Sequence, residues 1–339
     1  MTSGEKVKLG HGAGGVLTRK LVDEVFMKHL KNEALLELSD SAVVGGPGTG
    51  RLAFTTDSYV VSPLFFPGGD IGRLSISGTI NDLAVVGARP LFISAGFIIE
   101  EGIAFETLDK IAGSMAETAR TAEVSVVAAD TKVVERGKGD GLFINTAGIG
   151  TVVGPRLGPD RIQDGDAVVV SGTMGDHGAA IMLARKRDEL RFETSIRSDC
   201  APLHGMLLPL FEEFGEKVRW ARDVTRGGLF TILNEAVNGL RLDIVVDEPG
   251  IPVDPEVGSV CELLGLDPFY LANEGKVALV VDPGVGEAIV DALRGKEHGR
   301  RAALIGRLRK GDGRVYVRTR AGGLRIADSM YEDPVPRIC

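Results

Sequence analysis

The chain has 339 residues, of which 44% are hydrophobic and 25% charged. That is ordinary globular composition, long enough for about two domains. Its 39 Lys and Arg against 47 Asp and Glu leave a formal charge of −8. With no large basic cluster, this excludes a nucleic-acid-binding balance. The longest apolar runs, such as Val277–Val281, are strand-length, so no membrane span is expected, and residues 1–15 lack the apolar core of a signal peptide.

Leu17, Leu21 and Val25, with Val22, Phe26 and Leu30, recur at helical spacing and predict a helix over 16–30. A strand is expected over 52–61. Asp70 is placed to cap a helix over 71–86. A strand over 91–99, an amphipathic helix over 105–122 and strands over 125–134 and 142–153 follow. Turn residues crowd 154–165, which marks the division between an N-terminal unit, 1–155, and a C-terminal unit, 156–328. The second unit predicts a strand over 167–170, helices over 177–187, 202–214 and 225–240, and a strand over 242–246. A helix over 256–264, a strand over 277–281 and a helix over 287–293 come next, before terminal strands over 302–308, 315–317 and 324–326. Strands and helices mix without a strict βαβα repeat, so the expected fold class is α+β, in two layered units.

Three cysteines, Cys200, Cys261 and Cys339, form no CxxC pair. An odd count without a secretory signal points to a reducing cytoplasm. Cys200 and Cys261 read as packed thiols. Cys339 is the last residue and follows a segment with two prolines, Pro334 and Pro336. Such a segment favours extended chain, and residues 329–339 span up to roughly 36 Å. They read as a mobile tail with a nucleophilic sulfur at its tip, or alternatively as a frayed end.

The glycines of 10–15 match GxGxxG at Gly10, Gly12 and Gly15, but too few residues precede them for the strand that a dinucleotide site requires. Small residues before a helix still allow backbone N–H groups to approach an anion. The glycine-rich run over 45–51 has Arg51-Leu52 where a P-loop needs Lys-Ser/Thr, and reads as a hairpin turn. Asp57, Asp82, Asp130 and Asp223 each interrupt small or apolar sequence. Singly, each reads as a cap or a satisfied core acid. Together, with no Cys/His cluster, they suit Mg²⁺, a hard ion held by carboxylates and phosphates. Lys132 lies two residues after Asp130, on the same side of a strand. The pair suits a phosphate with its metal, or a plain salt bridge. Glu274, in Asn273-Glu274-Gly275-Lys276, is a candidate base or part of a polar turn. Asp176, in Gly175-Asp176-His177-Gly178, is an N-cap or a polar site wall.

These segments, with His11-Gly12-Ala13-Gly14-Gly15, Thr56-Asp57, Asn81-Asp82-Leu83-Ala84, Asp130-Thr131-Lys132-Val133-Val134, Asp223-Val224-Thr225-Arg226-Gly227-Gly228-Leu229 and the ending Pro336-Arg337-Ile338-Cys339, resemble the HypE family of hydrogenase-maturation proteins. That family lies within the PurM-like superfamily of aminoimidazole ribonucleotide and selenophosphate synthetases. The resemblance covers essentially the whole chain, and the ending is its most specific part. The reactive Cys or selenocysteine that selenophosphate synthetases carry in an N-terminal glycine-rich loop is missing here.

The resemblance implies a two-domain PurM-like fold and a homodimer built by the N-terminal domains. It implies ATP held by residues matching His11, Gly12, Gly14, Gly15, Thr56, Asp57, Asp82, Asp130, Lys132, Asp176 and Asp223. Mg²⁺ would lie on Asp57, Asp82, Asp130 and Asp223. It further implies that a carbamoyl group arrives on Cys339 from the carbamoyltransferase HypF and is dehydrated to a thiocyanate. The cyanide then passes to iron on a HypC–HypD scaffold. Cys339, Lys132 and Glu274 are the residues expected to carry the chemistry. Two other readings remain open on the residues alone: a small-molecule ligase or kinase of the purine-synthesis or selenophosphate type, and a non-catalytic scaffold.

Overall fold

Along β2 (Arg51–Tyr59), Ala53, Thr55 and Tyr59 turn inward while Phe54, Thr56 and Ser58 face out, the two-residue period of a strand with one covered face. The computed structural model describes residues 7–8, 11, 15–37, 39–46, 50–186, 194–331 and 335–339. Gly10, Gly12 and Gly14, expected at an anion site, lie outside the described residues.

β2 belongs to a five-stranded sheet with β1 (Ala42–Gly45), β5 (Ala88–Glu100), β6 (Ser125–Val134) and β7 (Leu142–Val152), in the order β1-β2-β7-β5-β6. A small hairpin, β3 (Phe65–Phe66) and β4 (Gly69–Asp70), stands beside it. Among the described residues of this five-stranded sheet, only β5 and β6 pair in parallel. Helices α4 (Ile71–Val85) and α5 (Phe105–Thr121) pack on this unit. Asp70 caps α4 by accepting from the N–H groups of Gly72 and Arg73. Nearly every residue of α4 is buried, including Ser75, Ser77 and Thr79. It lies between the first sheet and the second half of the chain, so it has no solvent face to make polar.

The second sheet has seven strands: β14 (Leu324–Ile326), β13 (Val315–Arg318), β10 (Leu242–Asp247), β12 (Ala303–Lys310), β8 (Ala167–Val170), β11 (Val277–Val281) and β9 (Val218–Asp223), in that order. β8 and β11 are buried throughout, and alternate residues feed different cores. Val168, Val170, Ala278 and Val280 join one core with helix α8 (Gly228–Val237). Ala167, Val169, Val277, Leu279 and Val281 join another with α7 (His204–Phe214) and α10 (Gly286–Arg294). Both faces being covered explains why these strands read as unbroken apolar runs. Helices α6 (Asp176–Arg185) and α9 (Pro255–Leu264) pack together in a third core that also holds Tyr59, Ile71 and Ile144 of the first half.

The expected α+β layering is present. The helix expected over 16–30 runs as α1 (Gly15–Leu21), a π-helical turn at Val22–Phe26 and α2 (Met27–Leu30); a short α3 (Glu33–Leu36) follows. β1 and β9 were not expected. In β9, the charged residues Arg219, Arg222 and Asp223 interrupt the apolar ones and hide the strand from a hydrophobicity pattern.

Buried Asn81 joins the halves. Its Nδ2 donates to the carbonyls of Ala201 (3.1 Å) and Glu274 (3.2 Å), and its Oδ1 accepts the Leu203 N–H at 2.7 Å. Asn81→Ala takes a partner from three interior backbone groups, of which the Glu274 carbonyl keeps the Ala201 N–H at 3.4 Å, and each group left unpaired carries a desolvation penalty. A loss of about 3 kcal/mol in unfolding free energy is expected, measurable by denaturant titration.

Candidate functional site

Where strand ends and helix starts from the two halves face one another, they leave a cleft of 510 Å³, within the range of small-molecule sites. Four aspartates line it: Asp40, Asp57, Asp82 and Asp223. Asp57 stands on β2, Asp82 on α4 and Asp223 at the end of β9. Carboxylate oxygens of Asp40, Asp82 and Asp223 all fall within 4.8 Å of one another. Thr55 Oγ1 donates to Asp82 Oδ2 at 2.7 Å, and Arg222 Nε lies 2.9 Å from Asp40 Oδ1.

Like charges this close resist ionising together. Burial first, then the charge of Asp223, raises the Asp82 carboxyl well above the ordinary range. Burial and then Asp40 do the same to Asp223. Burial pushes Asp40 up to about 6, although Arg222 pulls the other way. An all-oxygen, acid-rich donor set of this kind fits a hard divalent cation.

Cys339 also lines the cleft. The tail lies docked: Val335, Ile338 and Cys339 are buried. Arg226 NH1 donates to Cys339 Sγ at 3.2 Å. Burial raises the thiol far above its usual range, and the Arg226 charge only partly offsets this. Burial thus favours the thiol over the thiolate while the tail is docked. Glu274 stands in the same cleft, buried, with Oε1 lacking any hydrogen-bond partner. Burial raises its carboxyl well above the usual value, and the Asp223, Asp199 and Asp57 charges add to the effect.

The loop that presents Glu274 is held from behind. Asp199 accepts the N–H groups of Glu274 (3.0 Å) and Gly275 (3.3 Å), and the Lys276 ammonium at 2.9 Å. Asn273 Oδ1 accepts the N–H of Gly175 at 2.9 Å. A Cβ on Gly275 would collide with the Asp199 carbonyl. The Asn-Glu-Gly-Lys sequence thus spends three residues on scaffolding and aims one at the cleft.

The structure gathers Thr56, Asp57, Asp82, Asp223, Glu274, Cys339 and Gly15 around this cleft. Gly15 has a positive φ, and a Cβ there would strike the Met330 carbonyl. His11 is buried and does not line the cleft; its Nδ1 accepts the Lys8 N–H at 3.0 Å. Asp176 lies behind the wall, 3.3 Å from Lys276, and the N-cap of α6 is Gly175. Asp130 and Lys132 do not line this chain's cleft. They pair with each other at 2.8 Å on exposed β6. Sequence reasoning missed Asp40, Arg222 and Arg226. Arg226 sat within a quoted motif, whereas Asp40 followed a polar segment with no periodicity to mark it.

The sequence matches two family models, the N-terminal domain of AIR synthase related proteins over residues 38–152 and their C-terminal domain over 163–318. The chain is 47% identical over 337 residues to carbamoyl dehydratase HypE of Cupriavidus necator, covering 98% of this chain and 95% of that one. To its namesake from Escherichia coli it is 44% identical, covering 98% and 99%. A crystal structure of HypE in complex with ATP superposes with TM-score 0.82 at 41% identity, covering 98% of this chain and 100% of that one. A HypE–HypF complex gives TM-score 0.86 at 44% identity over 91% and 99%.

Raised carboxyl values in the folded state mean that stability is fully present below the ordinary Asp value and is lost as pH rises through the folded values. The metal-free protein should therefore melt several degrees lower at alkaline than at mildly acidic pH. Mg²⁺ should restore the melting temperature, most at alkaline pH. Asp82→Asn should melt higher than the parent without metal and gain little from Mg²⁺. Thermal melts across pH, with and without Mg²⁺, check this.

Proposed function

The chain belongs to the HypE family of carbamoyl dehydratases, and on that premise we propose that it is an ATP-dependent enzyme that dehydrates an S-carbamoyl group on its own Cys339 to a thiocyanate. The product would supply cyanide for [NiFe]-hydrogenase maturation. The observation that carries this reading is the Cys339 thiol lodged in the aspartate-lined cleft, bonded to Arg226. A free small-molecule ligase gives no reason for its own tail to fill its cleft.

Hydroxide leaves a carbamoyl carbon poorly. ATP supplies the phosphoryl group that converts the carbamoyl oxygen into a leaving phosphate, and Mg²⁺ on Asp40, Asp82 and Asp223, with Asp57 beside them, would neutralise the triphosphate. The carbamoyl nitrogen must lose two protons as the C≡N bond forms. Glu274 is the base we assign: it is buried, has a free oxygen and has a raised affinity for protons. Arg226, now on the sulfur, orients the group attached there. The net change is carbamoyl plus ATP to thiocyanate, ADP and phosphate, so the lost oxygen ends in phosphate.

Loading and drying cannot share one tail position. A neutral, buried thiol is a poor nucleophile, so the tail must leave the cleft to receive its carbamoyl group, for which HypF is the proposed donor. It must leave again to pass cyanide to iron on HypC–HypD.

We further infer a homodimer built on the first sheet. The face away from α4 exposes Phe54, Phe92 and Ile98, and edge strand β6 exposes Val126, Val127 and Val133. An open apolar edge of this kind invites pairing. A second copy on this face would bring Asp130 and Lys132 to an interface, where they would serve nucleotide binding. Two buried free thiols, Cys200 and Cys261, favour a cytoplasmic setting. Among the described residues no helix is long and apolar enough to cross a membrane.

Intact-mass measurement tests the reading: S-carbamoylated protein should lose the mass of one water only when MgATP is added. Thiocyanate from a Cys339→Ala protein would overturn it. Glu274→Gln should bind ATP normally yet slow single-turnover dehydration about 100-fold. The parent's rate should climb with pH through a value above that of an ordinary glutamate, because Glu274 works as the unprotonated base. The variant should lack that limb.

A further inference from the structure

The docked tail is gripped by its backbone more than by its sulfur. The Val60 N–H donates to a main-chain oxygen of Cys339 at 3.1 Å, and the Ser62 N–H to the carbonyl of Arg337 at 3.3 Å. Arg337 Nε returns a bond to the Val60 carbonyl at 3.2 Å. Arg185, tied to the Ser62 carbonyl through Nε at 2.7 Å, also donates to the Arg337 carbonyl. The remaining carbonyl, that of Ile338, lies 2.7 Å from His177 Nε2.

His177 is fully buried in the first turn of α6, with the Phe66 ring edge-on at 5.4 Å. Its Nδ1 lies 2.7 Å from Ser198 Oγ, which itself accepts the Cys200 N–H at 3.1 Å. A carbonyl oxygen can only accept, so Nε2 carries the proton. Burial favours the neutral ring, so Nδ1 accepts the Ser198 hydroxyl proton. The tautomer is thereby fixed from behind, and the bonds run in one direction: Cys200 N–H to Ser198, Ser198 to His177, His177 to Ile338. With the tail withdrawn, Nε2–H would lose this acceptor, so the bond favours the seated tail.

We propose that His177 is the positioning residue that seats the tail, reading the Ile338 carbonyl one residue before the sulfur. The proposal deepens the dehydratase reading, since the seated sulfur is the one to be dried. Because a peptide carbonyl is unchanged by what the sulfur carries, the grip is blind to the load. It holds the thiol, its carbamoyl adduct and the thiocyanate alike, and fixes the carbon next to Glu274 through the whole reaction.

The test measures alkylation of Cys339 by iodoacetamide in the full-length protein, read residue by residue by peptide mass spectrometry. In the parent, Cys339 should react slowly. In His177→Ala it should react about tenfold faster, the loss of one good hydrogen bond, while buried Cys200 and Cys261 stay protected. His177→Gln, whose amide can still donate, should return Cys339 to near the parent rate. An unchanged Cys339 rate in His177→Ala, with Cys200 and Cys261 protected, overturns the proposal. If all three thiols react, His177→Ala has opened the fold and Ser198→Ala decides. It removes the group that orients the ring, so about threefold faster labelling of Cys339 alone is expected, and none overturns the proposal. With S-carbamoylated protein, His177→Ala should slow ATP-dependent water loss severalfold, through looser placement of the carbon beside Glu274, without weakening nucleotide binding. Normal water loss with faster labelling sinks the catalytic consequence. Absent water loss in the parent sinks the dehydratase reading and leaves the labelling result standing.

Discussion

Acidic side chains from both halves of the chain converge on one cleft, and mutual repulsion is the constraint to which the rest of the structure answers. Asp40, Asp82 and Asp223 sit closer together than three ionised carboxylates tolerate in a buried setting. Covalent scaffolding holds them there: a strand end, a helix with no solvent face and a segment next to β1. Two arginines then stand in front. Arg222 answers Asp40 and Glu235, with its second contact at 3.3 Å, while Arg226 points to Cys339. The metal-free cleft is thus poised, short of positive charge at the place where the proposed magnesium nucleotide would bring it.

The same electrostatics divides labour between the two groups proposed to react, Cys339 and Glu274. Burial raises both the Cys339 thiol and the Glu274 carboxyl. For the sulfur this is a brake, because the docked thiol neither attacks nor oxidises readily. For the carboxyl it is an asset in the proposed role, because a base that prefers to hold a proton can take one from nitrogen. One environment therefore keeps the arm inert while seated and makes the group facing it more basic. The cost is borne by the Asn273–Lys276 loop, where Asp199 ties down two backbone N–H groups and a buried ammonium to keep Glu274 aimed without a partner of its own.

What the sequence disclosed follows from the length scale of each signal. β8 and β11 were legible because four or five consecutive apolar residues leave few alternatives to a strand covered on both faces. The cap at Asp70 was legible because capping is local. Asp57, Asp82 and Asp223 stood out as acids in small or apolar sequence and Glu274 as an acid in a polar turn, and the cleft unites them. β9 and Asp40 were not legible, for one shared reason. Arg222 interrupts the strand pattern because it must reach Asp40, and Asp40 sits in polar sequence that looks like any loop. A long-range ion pair leaves no periodicity behind. Asp176 and Lys276 carried a polar signal that was genuine, yet their task is to hold the wall and not to line it.

Asp130 and Lys132 are the residues for which the proposed dimer matters most. Their spacing predicted a shared face, and the two do meet, at 2.8 Å with about 70% of each side chain open to solvent. An exposed pair of this kind adds little stability, and it stands on an edge strand whose neighbouring valines are also exposed. Folding of the monomer explains neither the charges nor the apolar residues around them. A second copy laid against the sheet accounts for both at once. The valines would gain an interface, and the charged pair would gain the proposed nucleotide to meet. The carboxylates brought together within one chain would then be only the part of the site that intrachain folding can assemble.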